Sequence, residues 1–229
     1  DDVFVESWLL SNGQTVNLYE DSSFSSNFLL KHTNNEGDVI GSPVQLLFSS
    51  AAEDGVEVDF VEGDSGYILT IQENDTSLTR PGERQAWVFG SDGGLLANHD
   101  ITVDEVDCFN AETDVQIQNL STGNYLVTSD FDSFYYLGDF GDTVSTTGVN
   151  VYVYASGGAL LGSLSVEESL TSPGRTGSPV GRTFDSFEAL ELNNGNILLV
   201  ARMTESAFST ERYYKYWLLD SSGVELESG

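Results

Sequence analysis

The sequence predicts an all-β protein, a β-propeller of four four-stranded antiparallel blades. Three observations carry that expectation. A unit of two successive hairpins recurs four times along the 229 residues. Each hairpin closes on a short turn of Gly, Asn, Ser or Asp, residues that tolerate the positive φ a tight turn needs. Val, Ile, Tyr, Phe and Thr are plentiful, and no stretch carries apolar residues at helical period. Paired β-sandwiches, or a part of a larger propeller, are the alternatives that share this composition.

The first unit starts at Asp1. VFVESWLL, the turn Ser11-Asn12-Gly13 and TVNLYED form one hairpin; NFLLKHT, Asn34-Asn35-Glu36-Gly37 and DVIGSPVQLLF form the next. Trp8 reads as a core residue, and Pro43 suits an edge strand, where a missing N–H costs little. The second unit, from Asp54, pairs VEVDFV with YILTIQE across Gly63–Gly66, and QAWVFG with LLANHDITV across Ser91–Gly94. Its inter-hairpin link carries Arg80 and Arg84, which in so acidic a chain are expected to neutralise nearby carboxylates.

The third unit, from Asp114, pairs VQIQNL with YLVTSD across Ser121–Asn124, and NVYVYA with ALLGSLSV across Ser156–Gly158. Two long links are expected here: SDFDSFYYLGDFGDTVSTTG between the hairpins, and the exit EESLTSPGRTGSPVGRT, read as an exposed loop. The fourth unit, Asp185–Gly229, pairs FEALEL with ILLVARM across Asn193–Asn196, and YYKYWLL with VELES across Asp220–Gly223. The repeat units are therefore 1–53, 54–113, 114–184 and 185–229, forming one domain. Starts at 1, 54, 114 and 185 are 53, 60 and 71 residues apart, a period typical of propellers and other repeat arrays. Because chain direction alternates along each unit, all tight turns are expected at one end and all long links at the other. A ligand face is expected at the long-link end, since binding residues collect on loops held by a rigid scaffold.

Thirty-seven acids against eight bases give a net charge of −29. This excludes binding to nucleic acid through its phosphates, which needs a basic surface. It suits a protein secreted or displayed at a microbial surface in a saline medium, where salt screens the charge. A single cysteine, Cys108, excludes an intrachain disulfide, and with no His or Lys beside it reads as an inert thiol. No run approaches the length of an apolar membrane helix, so membrane insertion is not expected.

Two of the repeat's short motifs stand out. Leu192-Asn193-Asn194-Gly195-Asn196-Ile197-Leu198-Leu199 and Leu120-Ser121-Thr122-Gly123-Asn124-Tyr125-Leu126-Val127 share one pattern. Trp217-Leu218-Leu219-Asp220-Ser221-Ser222-Gly223 closes the unit with D-x-x-G. On these residues the chain resembles the propeller-type repeats of large secreted bacterial surface proteins and adhesins of the RTX kind. The resemblance implies an extracellular adhesion or surface-assembly module. The chain departs from that pattern in lacking a tryptophan on the second strand of each unit and the Gly/Asp nonapeptides that bind calcium in RTX proteins.

The chemistry on offer is sparse. His32 and His99 stand apart, with no zinc spacing around them, and no nucleophile-elbow or phosphate-loop motif is present. The function expected is non-enzymatic binding, with a carboxylate-pair glycosidase as the enzymatic rival. Asp130, Asp132, Asp139 and Asp142 fall within one stretch, with Gly138 and Gly141 beside them, as hard-cation ligands would. Calcium is the expected cofactor there, against the plainer reading of a solvated acidic link. Phe134, Tyr135, Tyr136 and Phe140 lie among these aspartates and are the expected contacts to a glycan or protein ligand. A lectin-like glycan binder and a self-assembling virion or filament subunit are the further readings.

Overall fold

In the computed structural model of the chain, four antiparallel sheets follow one another in sequence order, each a simple meander. The structure describes residues 2–21, 27–47, 56–73, 83–101, 115–137, 142–172, 180–204 and 212–229. Blade 1 is β1 (Val3–Leu9), β2 (Thr15–Glu20), β3 (Asn27–Thr33) and β4 (Val39–Leu47). Blade 2 is β5 (Val56–Gly63), β6 (Gly66–Glu73), β7 (Arg84–Gly90) and β8 (Leu95–Asp100). Blade 3 is β9 (Val115–Asn119), β10 (Tyr125–Leu137), β11 (Asp142–Tyr154) and β12 (Leu160–Ser172), with the two-residue β13 (Val180–Gly181) paired to the far end of β12. Blade 4 is β14 (Thr183–Glu191), β15 (Ile197–Thr204), β16 (Tyr213–Leu219) and β17 (Glu225–Ser228). This is the four-bladed β-propeller arrangement.

The turns explain the regularity. In seven of the eight hairpins the residue that opens the turn donates its N–H to the carbonyl four residues on and accepts from a glycine three residues on; Leu10, Asn34 and Gly90 show it first. The glycines that close these turns, Gly13, Gly37, Gly93, Gly123, Gly158, Gly195 and Gly223, all have φ between 78° and 87°. That left-handed conformation is cheap for glycine and costly for any residue with a Cβ. These turns lie at one end, as expected: the second-hairpin turn glycine of blades 2, 3 and 4 sits against a residue of the preceding blade close to that blade's own turn, Gly93 against His32, Gly158 against Ala97 and Gly223 against Val153.

Period-two alternation then gives each inner blade two buried faces. Blade 2 turns Tyr67, Leu69, Trp87 and Phe89 to blade 1, and Ile68, Ala86 and Val88 to blade 3. Blade 3 turns Tyr125 and Val127 to blade 2, and Leu126, Val149, Val151 and Val153 to blade 4. A sheet covered on both faces is not half of a two-sheet sandwich, which removes the paired-sandwich alternative. The outer faces of blades 1 and 4 are half-exposed among the described residues.

Polar contacts pin the seams at the tight-turn end. Ser11 donates from its N and Oγ to the Glu62 carboxylate at 2.9 and 2.7 Å. Ser121 does the same to Glu191, at 2.7 Å for each bond. Trp8 stacks on Phe60 of the next blade at 4.8 Å and 9°, in keeping with its expected place in the core.

Two long links differ from expectation. Most of residues 128–149 is ladder: β10 and β11 pair without a break from Tyr125↔Tyr154 to Leu137↔Asp142. The first six residues of the exit link, Glu167–Ser172, likewise belong to β12 and pair with β11. Blade 3 therefore extends past the end of β9 as a ribbon. The physical cause is the β-branched run Thr143–Val151, whose extended backbone gives β10 and β12 a partner beyond the blade. The links 74–82 and 102–114, with Arg80 and Cys108, lie outside the described residues.

Candidate functional site

The described cleft with convergent polar groups lies in the seam between blades 3 and 4, toward the end opposite the tight turns. It is a shallow, open cleft, lined by Gln116, Thr128, Asp130 and Val149 from blade 3 and by Phe187, Glu188, Ala189 and Leu199 from blade 4. Strand alternation places these groups. Thr128 and Asp130 share the face of β10 that carries Leu126, and Gln116 pairs with Thr128 in register. On β14, Phe187 and Ala189 face blade 3, as their ladder partners Ala201 and Leu199 do. Glu188 pairs with Val200, so the same alternation turns its side chain to the opposite face and leaves its backbone at the cleft.

The blade 3 wall is held from both sides. Arg84, buried in blade 2, donates to Ser129 Oγ at 2.7 Å and to the Asp130 carbonyl at 3.2 Å. Gln118 Nε2 donates to the Ala189 carbonyl at 2.9 Å, closing the seam beside the cleft. The Phe187 ring packs on Phe184 at 4.7 Å, and the Phe184 N–H donates to Thr147 Oγ1 at 2.7 Å. A carboxylate, an amide and a hydroxyl thus stand on one wall, facing an apolar wall with one aromatic ring. Arg84 acts here as an inter-blade pin on a hydroxyl and a main-chain carbonyl.

Of the residues expected to hold calcium, only Asp130 has a described side chain, and it lines this cleft. Asp132 and Asp142 sit on opposite strands, paired with Thr147 and Leu137 respectively. Five residues of strand separate those two rungs, or about 17 Å at ~3.4 Å per residue. Asp130 and Asp142 are seven rungs apart, about 24 Å by the same measure. The ladder is therefore incompatible with one ion shared by all four aspartates, because the stretch is a ribbon and not a closed loop. Asp139 and Phe140 lie outside the described residues. Phe134, Tyr135 and Tyr136 take consecutive places in β10, paired with Ser145, Val144 and Thr143. Among the described residues no three His, Cys, Asp or Glu side chains are grouped to hold a metal ion.

Both histidines are seam residues. Buried His32 forms a 2.6 Å hydrogen bond through Nε2 with the Tyr67 hydroxyl. Burial lowers the His32 pKa and raises that of Tyr67. His99 Nε2 bonds the Gly158 carbonyl at 2.8 Å, and its ring stacks on Tyr154 at 4.4 Å. Gln116, Thr128 and Phe187 carry no local motif, and only the pairing of β9, β10 and β14 brings them together.

No known protein-family model matches the chain, and no curated protein matches it. Among solved structures it is similar to an endo-arabinase from Bacteroides thetaiotaomicron VPI-5482, at 12% identity and a TM-score of 0.35, over 100% of this chain and 80% of that one. A likeness at that level says nothing about chemistry here. No helix among the described residues is long and apolar enough to cross a membrane.

Proposed function

We propose that the protein is a non-enzymatic binding module of the extracellular surface, taking a glycan in the cleft between blades 3 and 4. The observation that supports this reading is the makeup of the cleft. Asp130, Gln116 and Thr128 supply an acceptor, an amide and a hydroxyl on one wall, and Phe187 offers an apolar ring on the other. Sugars present that same combination, hydroxyls around the rim and C–H groups on the ring face. A few fixed polar groups within an otherwise apolar concave wall are what small-ligand sites use for orientation.

A glycosidase needs two carboxylates flanking one bond, about 5 to 10 Å apart. Alternation along β14 turns the Glu188 side chain away from blade 3 and Asp130, and this favours binding over cleavage. The charge of −29 suits a saline exterior, where ionic screening removes the self-repulsion. The test is a glycan array on the intact chain, followed by calorimetry with the best ligand. Asp130→Asn and Gln116→Ala are each expected to weaken binding at least tenfold with the fold unchanged. No binding to any glycan at millimolar concentration, or full affinity in both variants, overturns the reading.

A further inference from the structure

Three of the tight turns share one local geometry, and two of them carry the chain's Asn-Gly pairs, Asn12-Gly13 and Asn194-Gly195. The third carries Asp92-Gly93. In each, the side-chain Oδ1 accepts from the N–H two residues on: Gln14 at 2.9 Å, Gly94 at 2.9 Å and Asn196 at 3.1 Å. The glycine N–H donates to the carbonyl of the residue that opens the turn, Leu10, Gly90 or Leu192, at 2.9 Å in every case. The glycines have φ of 85°, 78° and 80°. Asn12 and Asn194 are both exposed.

The turns differ in what lies against the glycine. A Cβ on Gly13 would stand 2.9 Å from Asn35 Oδ1, and one on Gly93 2.7 Å from His32 Nε2. One on Gly195 would meet nothing within 4 Å. The residue before Asn12 is also tied to the next blade by the Ser11–Glu62 clasp, whereas in blade 4 the matching tie falls at Glu191, three residues before Asn194. An asparagine amide followed by glycine is open to attack by the next main-chain nitrogen, because glycine has no Cβ to block the approach. To attack, that nitrogen must leave its bond to the turn opener and swing toward Cγ, taking the glycine Cα with it. Asn35 packs on Gly13 and resists the movement; Gly195 has open space on that side. The Asn196 N–H meanwhile points at Asn194 Oδ1, where negative charge develops during attack.

We propose that Asn194 is a site of spontaneous covalent modification, deamidating through a succinimide in the folded protein, and that Asn35 shields Asn12 from the same reaction. The Gly195 nitrogen forms a bond to Asn194 Cγ, the Cγ–Nδ2 bond breaks, and ammonia leaves with the proton of the glycine N–H. Water then opens the ring. Opening at Cγ gives aspartate in a normal main chain; opening at the main-chain carbonyl gives isoaspartate, with the chain routed through Cβ. Each event adds one carboxylate to a chain already at −29. The isoaspartate form lengthens the turn by one carbon, which breaks the Leu192 bonding that closes the first hairpin of blade 4.

The test is to hold the intact chain at mildly alkaline pH and 37 °C, digest samples over time with trypsin, and follow both asparagines by mass spectrometry. Cleavage after Lys31, Arg182 and Arg202 puts Asn12 in the peptide 1–31 and Asn194 in 183–202, and fragmentation separates each from its neighbouring asparagines. Asn194 is expected to be lost at least threefold faster than Asn12, with aspartate and isoaspartate forms appearing in its place. In denaturing urea the two Asn-Gly pairs are expected to react alike, which assigns the folded difference to structure. Asn35→Ala, a change at an exposed turn residue, is expected to raise the Asn12 rate toward that of Asn194 and leave Asn194 unchanged. Unchanged melting confirms that this variant folds. Equal rates in the folded parent, a faster Asn12, no reaction at Asn194, or an Asn35→Ala chain with Asn12 still protected overturns the proposal.

Discussion

His32 on β3 and Tyr67 on β6 share a 2.6 Å hydrogen bond across the first seam, and both side chains are buried. The low dielectric favours the neutral form of each, lowering the histidine pKa and raising that of the tyrosine. With the imidazole neutral and the phenol protonated, the tyrosine O–H donates to Nε2. Tyr67→Phe strands that nitrogen in the seam and is expected to cost about 1–3 kcal/mol. Urea denaturation of parent and variant measures the difference, and a loss below about 0.5 kcal/mol would show the bond to be incidental.

The same pair predicts a pH dependence. Unfolded histidine titrates near 6.5, and folded His32 lies lower. Between those two values the unfolded chain binds the extra proton, so stability is full above about pH 6.5 and falls as pH drops through the folded value. Carboxylate titration is superimposed at lower pH, so the readout is the difference between the parent and His32→Gln. That difference is expected to shrink from pH 7.5 to pH 5.5. A constant gap over this range would mean that His32 titrates normally.

The turns were the most legible part of the fold. Asn12-Gly13, Asn194-Gly195 and their equivalents announce a glycine with positive φ, and seven turns adopt the same bonding around it. The ribbon of blade 3 was not legible. Its aspartates and glycines read as a loop, although Thr143–Val151 is dense in β-branched residues and was the signal to heed. The cleft was legible only at Asp130. Gln116, Thr128 and Phe187 meet through strand pairing, and the Ser–Glu clasps join residues 51 and 70 positions apart. No local pattern encodes contacts of that range.

Gly93 and Gly37 separate backbone conformation from packing. Both have positive φ, at 78° and 87°, so an alanine at either is strained by about 1–2 kcal/mol. Only Gly93 also has a neighbour in the way: His32 Nε2, 2.7 Å from where a Cβ would stand. Gly93→Ala is therefore expected to cost about 1–3 kcal/mol more than Gly37→Ala, the usual penalty of overpacking. Equal melting points for the two variants would show that the first seam yields freely.

Charge sets a salt response. Ion pairs among the described residues, such as Lys31–Asp2 at 2.9 Å and Arg212–Asp185 at 3.1 Å, are partly exposed and worth little. At a net charge of −29, repulsion among the remaining acids is expected to outweigh them. Raising NaCl from 0.1 M to 1 M shortens the Debye length from about 10 Å to about 3 Å. At micromolar chain the Tm is expected to rise with NaCl, and a falling curve would place the net electrostatic balance on the attractive side.

The ribbon ladder makes a sharp statement about Asp130 and Asp142. Were both to ligate one calcium ion, removing either carboxylate would cost most of the metal's stabilisation, and removing the second would add little. Their losses would be strongly non-additive. The pairing Asp130↔Val149 and Leu137↔Asp142 instead sets them about 24 Å apart along the hairpin. At that separation neither a shared ion nor direct repulsion at ordinary ionic strength couples them. A double-mutant cycle of Asp130→Asn and Asp142→Asn, read by urea denaturation with and without 5 mM calcium, is expected to be additive within about 0.5 kcal/mol in both conditions. A coupling above about 1 kcal/mol that appears only with calcium would mean that the ribbon folds back on itself to gather the two carboxylates, and that the ladder here does not hold in solution.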